Sequence, residues 1–257
     1  APATAPRGHV LIVHGYGEHI GRYERLAEEL NSLGLHVHGY DHRGHGQSPG
    51  KRGYVDDFGV LVEDLSSQLR VLQGLAGELP VFVFAHSMGG LIAANYFSAA
   101  RDGIAGVIFS SPLLAIPDNV SPLLIRLAGI LGALTPWLPV DRVDSRSISR
   151  ISSEVTAYND DPLVYHGPIL ARTGSQLAMA IGMTADRFSA IRVPFLVLHG
   201  DGDRLAPPQG SQRLYEDAAS SDKHRIVFEG GYHELLRDED SDQVRRAVIG
   251  QLETWLA

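Results

Sequence analysis

The stretch Pro80 to Tyr96, reading PVFVFAHSMGGLIAANY, leaves little freedom of fold. Val81 to Phe84 form a β-branched and aromatic run that predicts a buried strand, and Leu91 to Tyr96 continue as an Ala-rich helix. Between them Ala85-His86-Ser87-Met88-Gly89 must turn strand into helix within a few residues. Small residues are needed there because the two backbones approach closely, and the residue at the apex takes a strained conformation. Such a turn holds the Ser87 hydroxyl proud of the sheet, at a helix N-terminus whose dipole favours nearby negative charge. Ser87 is therefore the candidate nucleophile. The plainer reading is a helix N-cap serine. The usual pattern is G-x-S-x-G, and Ala85 stands where the first Gly is expected, a small enough residue for the turn.

The rest of the chain alternates in the same way. His9 to Val13 predicts a strand that runs directly into His14-Gly15-Tyr16-Gly17. Ile20 to Leu33 has helical spacing, with Leu26, Leu30 and Leu33 on one face and Gly34 closing it. Leu35 to Tyr40 predicts a second strand, Asp41 to Phe58 a glycine-rich surface loop, and Val60 to Leu75 an amphipathic helix. Strands are expected at Ile104 to Ser110, Val193 to His199 and His224 to Phe228. Helices are expected at Gln209 to Ala219 and Ser241 to Trp255. Strands alternating with helices imply an α/β architecture, a mostly parallel sheet with helices on both faces.

Between Ser111 and Ile191 the alternation stops. Pro112 to Pro139 carries a strongly apolar stretch bounded by prolines, Ser147 to Ala190 reads as helices and loops, and no strand is evident. An inserted helical cap over residues 112–190 is expected, on a core made of 1–111 and 191–257. Leu123 to Leu134 then reads either as a buried core helix or as a helix over the mouth of a site, offering leucines to an acyl chain or a lipid surface.

At 257 residues the chain fits one α/β domain with an insertion. With no cysteine, structural disulfides, thiolate zinc sites and a cysteine nucleophile are excluded. A net charge of −8 argues against nucleic acid as a partner and against electrostatic docking on anionic lipid. No run approaches the roughly 20 apolar residues of a membrane span. The opening APATAPRG is a Pro/Ala linker without the charged-then-apolar pattern of a signal peptide. A soluble protein is expected, cytoplasmic or peripherally associated with a membrane.

A serine nucleophile needs a base, the base an orienting acid, and the developing oxyanion two amide donors. The strand ending at His199 leads into Gly200-Asp201-Gly202-Asp203, and the last strand leads into Glu229-Gly230-Gly231-Tyr232-His233. Open α/β sheets place their sites at these C-terminal strand ends. Ser87, Asp203 and His233 follow the chain order of a strand–elbow–helix serine triad. Spacing alone leaves Asp201 open beside Asp203; the strand-end loop geometry of that pattern favours Asp203. The oxyanion donors would be the amides of Met88, which follows the nucleophile, and Tyr16, in the loop after the first strand.

Six segments then carry a resemblance in register: His14 to Tyr23 (HGYGEHIGRY), Asp41 to Ser48 (DHRGHGQS), the elbow AHSMGG, Ala157 to Leu163 (AYNDDPL), HGDGDRL and EGGYHELL. Together the chain resembles the monoacylglycerol lipases of the α/β-hydrolase superfamily, most of all their bacterial and mycobacterial members, from about His9 to the C-terminus. The resemblance implies an α/β-hydrolase fold with a cap and hydrolysis of monoacylglycerols to glycerol and fatty acid, with no metal or other cofactor. It implies a lipid ester as partner, and the apolar stretch of the cap is expected to make transient contact with a lipid surface. It assigns Ser87, Asp203 and His233 to the triad and the Tyr16 and Met88 amides to the oxyanion hole. It also sets Glu18, Arg22, His86 and Tyr158 at the glycerol-binding end of the pocket, although Glu18 and Arg22 also suit a structural ion pair. The family carries two strands ahead of the HG strand, where about eight residues stand in this sequence, so either the sheet edge is trimmed or the chain is a shortened one.

A general carboxylesterase or lysophospholipase would use the same triad, an acyltransferase would replace water by an alcohol, and a non-catalytic member of the fold would need none of it. His36, His38, His42 and His45 lack the carboxylate or Cys spacing of a metal site. Gly15-x-Gly17 lacks the remaining glycines of a dinucleotide fingerprint. Asn119-Val120-Ser121 is a glycosylation acceptor pattern.

Overall fold

The computed structural model describes residues 6–101, 103–116 and 120–257, and of residues 122–126 the backbone alone. The first five residues of the Pro/Ala linker and Asn119 of the acceptor pattern lie outside the described residues.

Six parallel strands form one sheet: β1 (Gly8–Val13), β2 (Leu35–Gly39), β3 (Val81–His86), β4 (Gly106–Ser110), β7 (Phe195–Gly200) and β8 (Lys223–Phe228), in the order β2-β1-β3-β4-β7-β8. β2 and β8 are the edges. Every residue of β1, β3, β4 and β7 is buried, which is why these strands read as continuous apolar runs rather than alternating ones. On one face Leu11, Val13, Val83 and Val197 pack under α2 (Phe58–Ala76) and α3 (Met88–Phe97), and α7 (Pro208–Asp217) adds Leu214 to the same cluster. On the other Val10, Ile12, Phe84 and Leu196 pack under α1 (Glu24–Ser32) and α8 (Ser241–Trp255). Val244, Val248 and Leu252, four residues apart, give α8 the single apolar stripe this requires.

The predicted helix over Ile20 to Leu33 divides. Ile20–Tyr23 is a turn of 3-10 helix, and the α-helix begins at Glu24. The reason is local: Asp41 Oδ1 accepts the Ile20 amide at 2.8 Å, and the Glu18 carboxylate takes the Tyr23 hydroxyl at 2.7 Å. Side chains from outside the helix thus hold its first turn. Gly34, with φ of 82°, ends α1 as expected.

Between β4 and β7 lie α4 (Pro122–Leu134), β5 (Pro139–Asp141), α5 (Ser152–Asp160), β6 (Ile169–Leu170) and α6 (Ala171–Ala185). The sequence shows no strand here, yet β5 and β6 pair antiparallel. Strands of two or three residues are too short to display a period of two. α6 buries Leu177 and Ile181 against the main core. α4 packs outside α6 and comes close because Gly132 has no Cβ to meet Ser175. Its far side stays open, with Ile130 56% and Leu134 73% exposed and Trp137 just beyond it at 68%. That is not the profile of a buried core helix.

The sheet also sets the level at which the chain emerges. Val13, Ala85, Phe109 and Val197 stand side by side in one row. The loops after β1, β3, β4 and β7 therefore leave the sheet together. α3 can start beside the end of β1 only because Gly89 has no side chain: a Cβ there would strike the Val13 and His14 carbonyl oxygens. Gly89→Ala is expected to lower unfolding free energy by about 1–3 kcal/mol, as overpacking does. Gly74→Ala, in α2 where an added Cβ meets nothing, is expected to raise it by up to about 0.5–1 kcal/mol. Urea denaturation of the two variants checks both signs.

Candidate active site

Ser87 takes φ of 52° and ψ of −117°, in the left-handed region that a serine rarely occupies. Its amide donates to Ser110 O at 3.1 Å, and its carbonyl accepts from Leu91 N at 3.1 Å and Leu113 N at 3.0 Å. It stands at the N-cap position of α3, but its hydroxyl caps nothing. Instead Oγ lies 2.9 Å from His233 Nε2, and His233 Nδ1 lies 2.7 Å from Asp203 Oδ2. A carboxylate only accepts, so Nδ1 carries the hydrogen and Nε2 is left to take the serine proton.

Three further donors hold Asp203. The amides of Leu205 (2.8 Å) and Ala206 (3.0 Å) reach Oδ1, and His199 Nε2 reaches Oδ2 at 3.1 Å. Burial works to raise its pKa, but the His233 charge and the hydrogen bonds from His199 and His233 outweigh it and hold the carboxyl well below the usual range. Burial likewise opposes a charge on His233, and Asp203 overrides it, raising the imidazole above its ordinary value. Of the two aspartates left open by spacing, Asp201 is the exposed one and binds the Gly230 amide at 2.5 Å, a tie between the two loops.

His199 does not stand out in the sequence. The last residue but one of a buried strand looks like core, and only its hydrogen bonds reveal what it does. Its Nε2–H goes to Asp203 and to Ala206 O (2.9 Å), while Nδ1 accepts the Ser211 hydroxyl at 2.5 Å.

Met88 is the first residue of α3, so its amide has no intrahelical acceptor. The Tyr16 amide finds none among the described residues either. The loop carrying Tyr16 is pulled against Ser87: Glu18 Oε1 accepts the Gly15 amide at 2.5 Å, and a Cβ on Gly15 would lie 3.1 Å from that of Ser87. The Tyr16 hydroxyl is anchored on Gly53 O at 2.8 Å.

Glu18, His86 and Tyr158 line the same cavity as Ser87 and His233. Arg22 sits behind them. Its Nη2 meets Glu234 at 2.5 Å, its Nε is 3.7 Å from Glu18, and its guanidinium lies over the Tyr158 ring at 4.8 Å. The ion pair weighed from sequence is thus real, but Arg22 is shared, and Glu234 is its nearer partner. Glu234, which also lines the cavity, was missed because a glutamate at the start of a 3-10 turn has no distinguishing spacing. Burial and the facing Glu18 push its carboxyl up to about 7, against the pull of Arg22. Glu18 is buried as well, but His86, Arg22 and the Tyr23 and Gly15 hydrogen bonds hold it below its ordinary value. Burial and the neighbouring His233 bring His86 down to about 4, so it is neutral and donates from Nδ1 to Ser110 O at 3.0 Å.

The cavity encloses about 410 Å³, within the range of small-molecule sites. From Ser87 it runs between α4, α6 and β5 along Leu113, Leu131, Val140, Leu177 and Ile181. Apolar side chains dominate on that side, with Asp141, Arg142, Asp144 and Ser175 also in the lining, and Glu18, His86, Tyr158 and Glu234 make a polar group beside Ser87. His36 and His38 of β2 lie against His9 of β1, whose Nδ1 is 3.0 Å from His38 Nε2. Among the described residues no group of three or more His, Cys, Asp or Glu is arranged to hold a metal ion.

Residues 4–240 match the family model described as serine aminopeptidase, S33 (Hydrolase_4). The chain is similar to a monoacylglycerol lipase of Mycolicibacterium smegmatis, 38% identical across 99% of this chain and 90% of that one. It is similar to a monoglyceride lipase of Rattus norvegicus, 37% identical across 100% and 84% of the two chains. The crystal structure of a monoacylglycerol lipase of Paleococcus ferrophilus superposes with a TM-score of 0.90 at 36% identity, covering 99% of this chain and 97% of that one.

An alkyl fluorophosphonate should label Ser87, and Ser87→Ala should abolish labelling. His233 reacts as a base only when neutral, and its pKa is raised. The labelling rate should therefore fall as pH drops through a midpoint above 6.5, the ordinary histidine value. Asp203→Asn is expected to slow labelling by up to about 10⁴-fold. A pH series of labelling rates checks both.

Proposed function

The chain belongs to the monoacylglycerol lipase family of α/β-hydrolases, and on that premise we propose that it cleaves monoacylglycerols to glycerol and a free fatty acid through an acyl-enzyme on Ser87. The observation that carries the reading is the position of Ser87 where the two halves of one cavity meet, an apolar channel on one side and a carboxylate- and imidazole-bearing end on the other. An ester with a single long chain and a small polyol matches both halves at once. A second acyl chain has no matching apolar wall at the polar end.

In this mechanism His233, oriented by Asp203, takes the Ser87 proton as Oγ attacks the ester carbonyl. The Tyr16 and Met88 amides hold the oxyanion. His233 passes the proton to the glycerol oxygen as the C–O bond breaks. Water, deprotonated by His233, then attacks the acyl-enzyme, and the proton returns to Ser87 as the fatty acid leaves. Glu18, His86 and Tyr158 meet the glycerol hydroxyls, with Arg22 holding Glu18 and Glu234 in place behind them.

Residues 112–190 act as a cap on the core in this reading, with α4 roofing the channel. Ile130, Leu134 and Trp137 face outward from it, and their exposure supports transient contact with a lipid surface from which substrate is taken. With a net charge of −8, that contact is apolar rather than electrostatic. Among the described residues no helix is long and apolar enough to cross a membrane.

The deciding experiment compares 1-monooleoylglycerol with a dioleoylglycerol and a short p-nitrophenyl ester. Monoester turnover well above diester turnover, lost in Ser87→Ala, is the expected result. Fast turnover of the short ester with none of the monoacylglycerol would leave a general esterase. Replacing Ile130, Leu134 and Trp137 together by Ser should weaken association with zwitterionic vesicles by at least about tenfold, given roughly 1.5–3 kcal/mol per buried large apolar side chain. Cosedimentation measures it, and hydrolysis of the short soluble ester should stay the same.

A further inference from the structure

Two motifs have no part in the mechanism so far: the histidine of His14-Gly15 and the paired histidines of DHRGHGQS. In the fold they come together. His14, His42 and His45 are each 0% exposed and gather under the loop that follows β1. The His14 and His42 rings are 4.2 Å apart, and His45 lies 5.8 Å from His14.

Their partners fix where the protons are. The backbone N–H of His42 donates to His14 Nε2 at 2.9 Å, so that nitrogen holds a lone pair and Nδ1 holds the hydrogen. His14 Nδ1–H then donates to Gly15 O at 2.8 Å. His42 Nε2, 3.0 Å from His14 O, must be a donor too, as must His45 Nδ1 toward Arg43 O at 3.1 Å. Among the described residues the remaining nitrogens, His42 Nδ1 and His45 Nε2, are buried without a partner. A proton on either would be an N–H buried without an acceptor. Burial and the neighbouring imidazoles hold His14 and His42 well below their ordinary pKa. The rings are neutral, in one tautomer each.

This arrangement bears on one peptide. A trans peptide unit points its C=O and N–H in opposite directions. With the Gly15 carbonyl tied to His14, the Tyr16 N–H is turned away from the histidines and left for the cavity that Gly15 and Tyr16 both line. His42 locks His14 twice, through its amide to the ring and through its ring to the carbonyl. The segment bearing His42 is itself fastened, since the Asp41 carboxylate accepts the Ile20 amide at 2.8 Å and the Gln47 amide at 2.7 Å. We infer that His14 and His42 are positioning residues for the oxyanion hole: His42, acting through His14, keeps the Gly15–Tyr16 peptide from flipping. The inference rests on the reading of Ser87 as nucleophile and the Tyr16 amide as oxyanion donor.

Two pairs of substitutions test it, since a Gln amide nitrogen can stand near Nε2 of the histidine it replaces and an Asn amide nitrogen near Nδ1. His42→Leu removes the donor to His14 O and His42→Gln retains one. His14→Gln removes the donor to Gly15 O and His14→Asn retains one. With a short p-nitrophenyl ester, His42→Leu and His14→Gln should lower kcat about 10²-fold, near the value of one oxyanion donor, with KM changed less than about threefold. His42→Gln and His14→Asn should recover most of the loss. The affinity of an alkyl boronic acid, whose tetrahedral adduct on Ser87 places an oxygen in the hole, should fall in step with kcat/KM. Equal losses in the donor-keeping and donor-lacking variants, or full kcat in folded His42→Leu, would overturn the inference. Should His42→Leu not fold, full kcat in folded His14→Gln overturns it alone. Wild-type turnover that survives Ser87→Ala would overturn the site reading and this inference together. Ser87-dependent turnover with no effect of the histidines overturns only the latter.

Discussion

For a serine to keep φ at 52° inside a protein, its surroundings must offset a strain of order 1–3 kcal/mol. At Ser87 they do so from three sides. β4 takes the amide through Ser110, α3 and the segment after β4 take the carbonyl through Leu91 and Leu113, and Gly89 lets the end of β1 press close. Together these contacts hold the hydroxyl toward His233. The triad is therefore as much a property of the sheet's in-register central strands as of three side chains.

Electrostatics near the serine follow a similar division. Asp203 is buried yet charged, because two amides and two imidazoles donate to it. Glu18 and Glu234 flank a single guanidinium, and only one of them is well provided with donors, so burial falls on the other. Neutral histidines make up most of the remaining polar surroundings. Burial and neighbouring imidazoles keep His14 and His42 uncharged, and burial and His233 keep His86 so. His233 differs: Asp203 overrides burial and raises its pKa.

Much of this was legible in the residues. Strands β1, β3, β4 and β7 are buried on both faces, and so wrote themselves as uninterrupted apolar runs, with the chemical motifs directly after them. Where the fold departed from expectation, the cause lay across space. The first turn of the helix before Leu26 is tightened by Asp41 and Glu18, neither of them in the helix. β5 and β6 are too short to carry a period. His199 looked like core, and its role is defined by Asp203, Ala206 and Ser211 reaching it from the next loop and helix. The histidines of DHRGHGQS lack the spacing of a metal site, and the fold shows what they do instead, with their hydrogens committed to backbone carbonyls.

The strand order has an implication for the newborn chain. Ser87 follows a central strand laid down early, while His233 follows β8, an edge strand that pairs only with β7 and is the last of the six to be made. A domain folds as a unit, so the sheet that holds the elbow is not complete until this last strand has been translated. Until then Ser87 lacks His233, the residue proposed as its base. Under the proposed mechanism an incomplete polypeptide is inert toward esters until the edge strand and the loop beyond it have been added.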